Sequence, residues 1–113
     1  MFKKINRLAK TKDVKLALAR GRGFFNPFFT LKFLKTTRPN ARLTVIASTK
    51  VAKKAVVRNR LKRVVREVMR QKLGDLPVGD YAVLLKPKAA SALSVEVRSH
   101  LLALLASAKL IQR

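Results

Sequence analysis

The sequence predicts a single α+β domain, a sandwich whose elements run α-β-β-β-α-β-α. Three observations predict it. Apolar residues alternate over 28–34 and 42–49, the two-residue period of strands. They recur at helical spacing over 56–72 and 94–110. Gly21, Arg38-Pro39-Asn40, Gly74, Pro77 and Pro87 punctuate the chain between these runs. With 113 residues, 49% of them hydrophobic, the chain has the size and the apolar content for one compact core spanning 1–113.

Residues 11–20 read as a short helix. Thr11 is placed as its N-cap, Val14 and Leu18 stand at i and i+4, and Gly21 is the stop. Residues 22–26 add a short edge strand. In 28–34, Phe29, Leu31 and Phe33 share one face and Phe28, Thr30 and Lys32 the other. The strand over 42–49 puts Leu43, Val45 and Ala47 opposite Thr44, Ile46 and Ser48. Residues 56–72 are the most strongly patterned helix. Val57, Leu61, Val64, Val65, Val68 and Met69 fall in one sector of about 140°. Arg58, Asn59, Lys62, Arg63, Arg66 and Arg70 fill the adjoining sector. Tyr81–Lys86 reads as a buried strand, and Ser94 as the cap of a last helix reaching about Leu110 with Val97, Leu101, Leu104, Leu105 and Ala108 inward.

Charge narrows the function. There are 27 Lys and Arg against 5 Asp and Glu, a formal +22. A compact domain with that excess repels itself and fits a polyanionic partner, most directly a nucleic acid. The charge is uneven: residues 1–23 hold eight Lys or Arg and one acid, and residues 50–72 hold ten and one. The N-terminal arm and the middle of the chain are thus expected to meet the polyanion. Cysteine is absent and His100 is the only histidine, which excludes disulfides, zinc knuckles, thiol chemistry and His-based triads. No apolar run reaches bilayer length, and Met1-Phe2-Lys3-Lys4 lacks a hydrophobic signal core, so a cytoplasmic location without membrane contact is expected. The five acids form no pair suited to metal-dependent hydrolysis, so no catalytic residue and no metal site is assigned to the chain.

The segment Lys50-Val-Ala-Lys53-Lys54-Ala-Val-Val-Arg58-Asn59-Arg60-Leu-Lys62-Arg63-Val-Val-Arg66-Glu67 concentrates the chemistry. Arginine offers a planar fork of donors that matches phosphate oxygens bidentately. Asn59 carries a donor and an acceptor, suited to a ribose 2′-hydroxyl, a base edge or a metal-bound water. Like charges at i,i+3 and i,i+4 destabilise a lone helix by a few tenths of a kcal/mol each, a strain that a bound polyanion relieves.

Arg58-Asn59-Arg60-Leu61-Lys62-Arg63-Val64-Val65-Arg66-Glu67 resembles the Arg-Asn-Arg signature of the bacterial ribonuclease P protein subunit. Asn6-Arg7-Leu8, Asp13 with Gly21, Arg42 to Lys50, and Tyr81-Ala-Val-Leu-Leu-Lys-Pro87 resemble the family's other segments in order and spacing, over nearly the whole chain. The resemblance implies a mixed sheet with the signature helix in a left-handed crossover. It implies that Lys50, Lys53, Lys54, Arg58, Asn59, Arg60, Lys62, Arg63 and Arg66 bind a catalytic RNA. It also implies a cleft between the first helix and the open sheet face, formed here by Lys12, Val14, Lys15, Leu18, Phe28, Thr30 and Lys32, that binds the single-stranded 5′ leader of precursor tRNA. The catalytic RNA and its Mg²⁺ cut the leader, with no further protein partner required.

The chain departs from the family pattern in places. Val14 and Leu18 stand where aromatics are common, and so does Lys32. The leader grip is therefore expected to rest on charge more than on stacking, with Phe28 partly compensating. Thr49 replaces a common lysine, and Lys53 and Lys54 supply similar charge nearby. Two other classes share the composition: a non-catalytic RNA-binding module such as a ribosomal protein, and a self-sufficient nuclease. The ordered segments argue against the first and the missing catalytic set against the second.

Overall fold

The computed structural model describes residues 3–110; Met1 and Phe2, read above for an export signal, lie outside them. After a 3-10 turn at Lys4–Asn6, the elements are α1 (Thr11–Arg20), β1 (Arg22–Phe25), β2 (Phe29–Lys35), β3 (Arg42–Ile46), α2 (Ala55–Lys72), β4 (Gly79–Leu85), a 3-10 helix at Pro87–Ser91, and α3 (Ser94–Ser107). The predicted order is the observed one.

The strands form one mixed sheet ordered β1-β2-β4-β3, with β4 antiparallel to β2 and parallel to β3. Parallel neighbours need a long connection, and α2 is that connection. Register then sorts the side chains. Phe24, Leu31, Val83 and Val45 share a row on one face, as do Phe33, Tyr81 and Leu43. This face carries the core, where Phe29, Leu31, Tyr81 and Val83 meet Leu61, Val65, Val68 and Met69 of α2 and Val97, Leu101 and Leu105 of α3. The other face carries three rows: Phe25–Thr30–Leu84–Ile46, Gly23–Lys32–Ala82–Thr44, and Leu34–Asp80–Arg42. Helix α1 packs over β2 and β4. Ala17 and Ala82, both fully buried, allow the close approach.

Several boundaries differ from the sequence reading, each for a physical reason. Thr11 is the first helical residue of α1, and Lys10 holds the N-cap position without a side-chain bond. Ser94 likewise lies inside α3; the Leu93 N–H at its start donates to Glu96 Oε1 (3.1 Å), while Ser94 Oγ accepts from Arg60. Strand β3 stops at Ile46, which pairs with Leu84 near the end of β4, and the chain then turns through Ser48, whose carbonyl accepts from Val51 N. Helix α3 ends at Ser107 because Lys109 takes a left-handed conformation (φ 61°) that lets Leu110 N reach the Leu105 carbonyl.

Candidate nucleic-acid interface

Two faces gather the charged residues, one on each side of the sheet. The first is built on α2 and the turn before it. Lys50, Lys53, Lys54, Asn59, Arg63 and Arg66 are exposed, and Lys62 is half-buried. The N-terminal segment extends this face. Arg7 bridges Leu43 in parallel, Leu8 N donates to the Leu43 carbonyl (2.9 Å), and Asn6 Nδ2 donates to the Ala41 carbonyl (2.8 Å). Arg7 thus comes to rest opposite α2, and a groove of about 560 Å³ opens between them, walled by Arg7, Arg63, Arg66, Glu67 and Arg70 over Leu43 and Val45. Arg7 and Arg70 were not singled out as site residues from the sequence. Arg70 was visible on the basic sector of α2, whereas nothing local foretold the docking of Arg7 beside β3.

Three of the five acids are engaged by arginines. Glu67 accepts from Arg70 and Gln71, so its partner is Arg70 and not the adjacent Arg66; the Arg70 guanidinium holds its carboxyl below the usual carboxylate range. Asp13 and Asp80 both engage Arg42. Among the described residues no acid pairs with Lys50, Lys53, Lys54, Arg63 or Arg66.

Arg58 and Arg60 also make contacts within the fold. Arg58 Nη1 donates to the carbonyls of Ala52 (2.9 Å) and Lys53 (2.8 Å), closing the turn that presents Lys53 and Lys54. Arg60 donates to Ser94 Oγ (3.1 Å) and the Ala92 carbonyl (3.4 Å), tying α2 to the start of α3. Each guanidinium spends two of its five N–H donors on these oxygens. Both residues brace the face that presents Lys53, Lys54, Arg63 and Arg66.

The second face is the cleft beside α1. Val14 and Leu18 are half-buried on α1, with Lys12 and Lys15 exposed. Thr30 and Lys32 are half-buried on the sheet, in the rows continued by Leu84, Ile46 and Thr44. An ion-pair relay fixes α1 as the wall of this cleft. Arg42 Nε and Nη2 grip Asp80 as a fork (2.8 and 2.7 Å), and Nη1 reaches Asp13 of α1 (3.3 Å). Hydrogen bonding to Asp80 is the main reason the Arg42 pKa is raised.

Phe28 does not belong to this cleft. It lies one residue before β2, is 5% exposed, and stacks on His100 of α3 with ring centroids 4.0 Å apart. Asn26 causes the departure: its Oδ1 accepts from both Phe28 N and Phe29 N (2.9 Å each), and this turn takes Phe28 out of the strand alternation. His100 is accordingly a packing residue. The exposed aromatic on the cleft side is Phe25 of β1, 71% exposed in the row of Thr30 and Leu84.

No helix among the described residues is long and apolar enough to cross a membrane. Comparison with known proteins gives one consistent answer. Residues 2–109 match the family model described as Ribonuclease P. The ribonuclease P protein component of Xylella fastidiosa is 36% identical over 104 residues, covering 92% of this chain and 76% of that protein. The RNase P protein of Thermotoga maritima superposes with a TM-score of 0.77 at 34% identity, covering 88% of this chain and 94% of that one. A mutant RNase P protein of Staphylococcus aureus shares the fold with a TM-score of 0.90 at 24% identity, covering 96% and 92%. The chain, with its signature on α2 and its matched length, belongs to the ribonuclease P protein family.

Proposed function

We propose that this chain binds the catalytic RNA of ribonuclease P through the α2 face and holds the 5′ leader of precursor tRNA in the α1 cleft. The observation that carries the reading is the uncompensated cationic surface of Lys50, Lys53, Lys54, Arg63 and Arg66, flanked by Arg7 across a groove. A surface that is merely solvated usually mixes signs; here the one acid of the α2 face, Glu67, is held by Arg70, and these five cations have no acidic partner among the described residues. Catalysis belongs to the RNA in this reading. The described residues hold no cluster of three His, Cys, Asp or Glu, and Asp13, Asp80 and Glu67 are already engaged by arginines. They do not suit a Mg²⁺ site, so the ion is assigned to the RNA partner.

Reconstitution tests this. Protein added to ribonuclease P RNA at low Mg²⁺ is expected to stimulate removal of the leader, and protein alone is expected to leave precursor tRNA intact. Replacing Lys53, Arg63 and Arg66 together with alanine is expected to lower the log–log salt slope of RNA binding by about two to three, since each lost phosphate contact removes roughly 0.7–0.9. Cleavage without RNA would identify a nuclease; no stimulation would identify an RNA-binding module of another kind.

A further inference from the structure

We infer that Phe25 is a stacking platform for one base of the leader, bracketed by the ammonium groups of Lys32 and Lys86. The inference rests on the leader-cleft reading above and adds to it a residue that neither sequence pattern nor parity indicated.

A lone exposed phenylalanine is ordinary on protein surfaces. Its setting separates Phe25 from that background. Among the described large hydrophobics that are exposed, Ile5, Leu16, Val56, Val78, Leu93 and Val95 are aliphatic, and Phe25 is the aromatic one. It sits on β1 directly across from Thr30, on the face that α1 leaves open. Two amines flank it. Lys86 Nζ lies 5.6 Å from the ring centroid and is anchored by donating to the Asn26 carbonyl (2.8 Å). Lys32 lies across from Gly23, two residues back on the same face; a Cβ at Gly23 would stand 3.3 Å from Lys32 Nζ. Glycine there leaves the lysine room to lie over β1, toward the ring.

The arrangement is a π-face between two cations along one sheet edge, continuous with the floor of Thr30 and Leu84. A flexible single strand needs this combination: a base to stack and phosphates to neutralise on either side. An acidic peptide would meet the charges but would leave the ring without a planar partner, so a single-stranded RNA is the better fit. The platform also supplies the stacking surface missing at Val14, Leu18 and Lys32. A ring reads area and not hydrogen-bonding edges, so the base preferred there is a purine.

The test uses the holoenzyme reconstituted with its RNA, and measures binding of precursor tRNA and of mature tRNA. Phe25→Ala is expected to weaken precursor binding by about five- to 150-fold, the range of one base–aromatic stack, with mature tRNA unchanged. Phe25→Trp is expected to restore the affinity. An abasic nucleotide scanned along the leader is expected to silence Phe25→Ala at one position only. Lys32→Ala is the control for the cleft itself. If it weakens precursor binding selectively while Phe25→Ala has no effect at any leader, the cleft stands and the platform is refuted, leaving the ring as a surface for a protein. If neither variant separates precursor from mature tRNA, the cleft reading fails and the platform with it.

Discussion

Arg42→Ala is expected to be the most damaging single substitution on the cleft side of the sheet. Its guanidinium is 13% exposed and grips Asp80, whose side chain is 4% exposed, through two bonds of 2.8 and 2.7 Å. Truncation leaves that carboxylate buried without a partner, which costs about 3–5 kcal/mol. A domain of this size has roughly 5–15 kcal/mol in total, so a fifth or more of its stability is at stake. The melting temperature should fall by about 12–20 °C, at roughly 4 °C per kcal/mol. The same loss leaves Asp13, 3.3 Å from Arg42, with only the exposed Arg38 at 3.9 Å, and loosens the N-terminal end of α1. Asp13→Ala alone should remove only about 1 kcal/mol or less, because that longer contact is nearer the surface. Arg42→Lys keeps the charge without the fork and should fall between them. Urea unfolding followed by circular dichroism measures all three, and amide exchange in α1 reports whether the wall loosens. If Arg42→Ala and Asp13→Ala destabilise equally, within 1 kcal/mol, the relay through Asp80 is not what holds the cleft.

Two further outcomes follow from the geometry. Arg60→Ala should weaken RNA binding while leaving its salt slope unchanged, because Arg60 holds Ser94 and Ala92 and not phosphate; Ser94→Ala should reproduce part of the loss, and a slope reduced by close to one would show a direct contact instead. Tyr81 is 1% exposed, donates to the Pro77 carbonyl, and has its pKa raised by burial. A raised folded pKa means that stability is fully present below the unfolded value, near 10, and is lost as pH rises above it. The wild-type protein should therefore lose about 1.4 kcal/mol per pH unit in that alkaline window relative to Tyr81→Phe, and parallel pH profiles for the two would refute it.

The element order was legible from pattern: a period of two in β2 and β3, a short continuous apolar run in β4, and a period near 3.6 in α2 and α3. The cationic face was legible for the same reason, since the basic residues of α2 share one sector. Contacts between distant segments were not. Arg60 and Ser94 are 34 residues apart, and Arg42 and Asp80 are 38 apart; no local pattern encodes either. The misplacement of Phe28 has a local cause that was present in the sequence. Asn26-Pro27 is a turn signal, and extending strand parity back to it ignored the hydrogen bonds that asparagine makes to the next residues. Applying the same parity from Thr30 across to β1 required the register, which only the folded sheet supplies.

The two faces share one structural spacer. The sheet separates the core side, where α2 and α3 pack, from the side where α1 and the cleft lie. Helix α2 turns its apolar sector to that core and its basic sector outward, so the cationic face is positioned by the same packing that folds the domain. The cleft is positioned by Arg42, which reaches from β3 to β4 and α1 at once. Residue β3 Leu43 links the two: its side chain is in the core, its carbonyl receives the N-terminal segment, and Arg42 beside it anchors α1. The buried carboxylates thus do more than offset charge. In a chain of +22, Asp13 and Asp80 cost two of the few anions available, and both are used at the one point where the cleft wall meets the sheet. The remaining cations are left to face outward, and a surface of that kind is complete only with a polyanion on it.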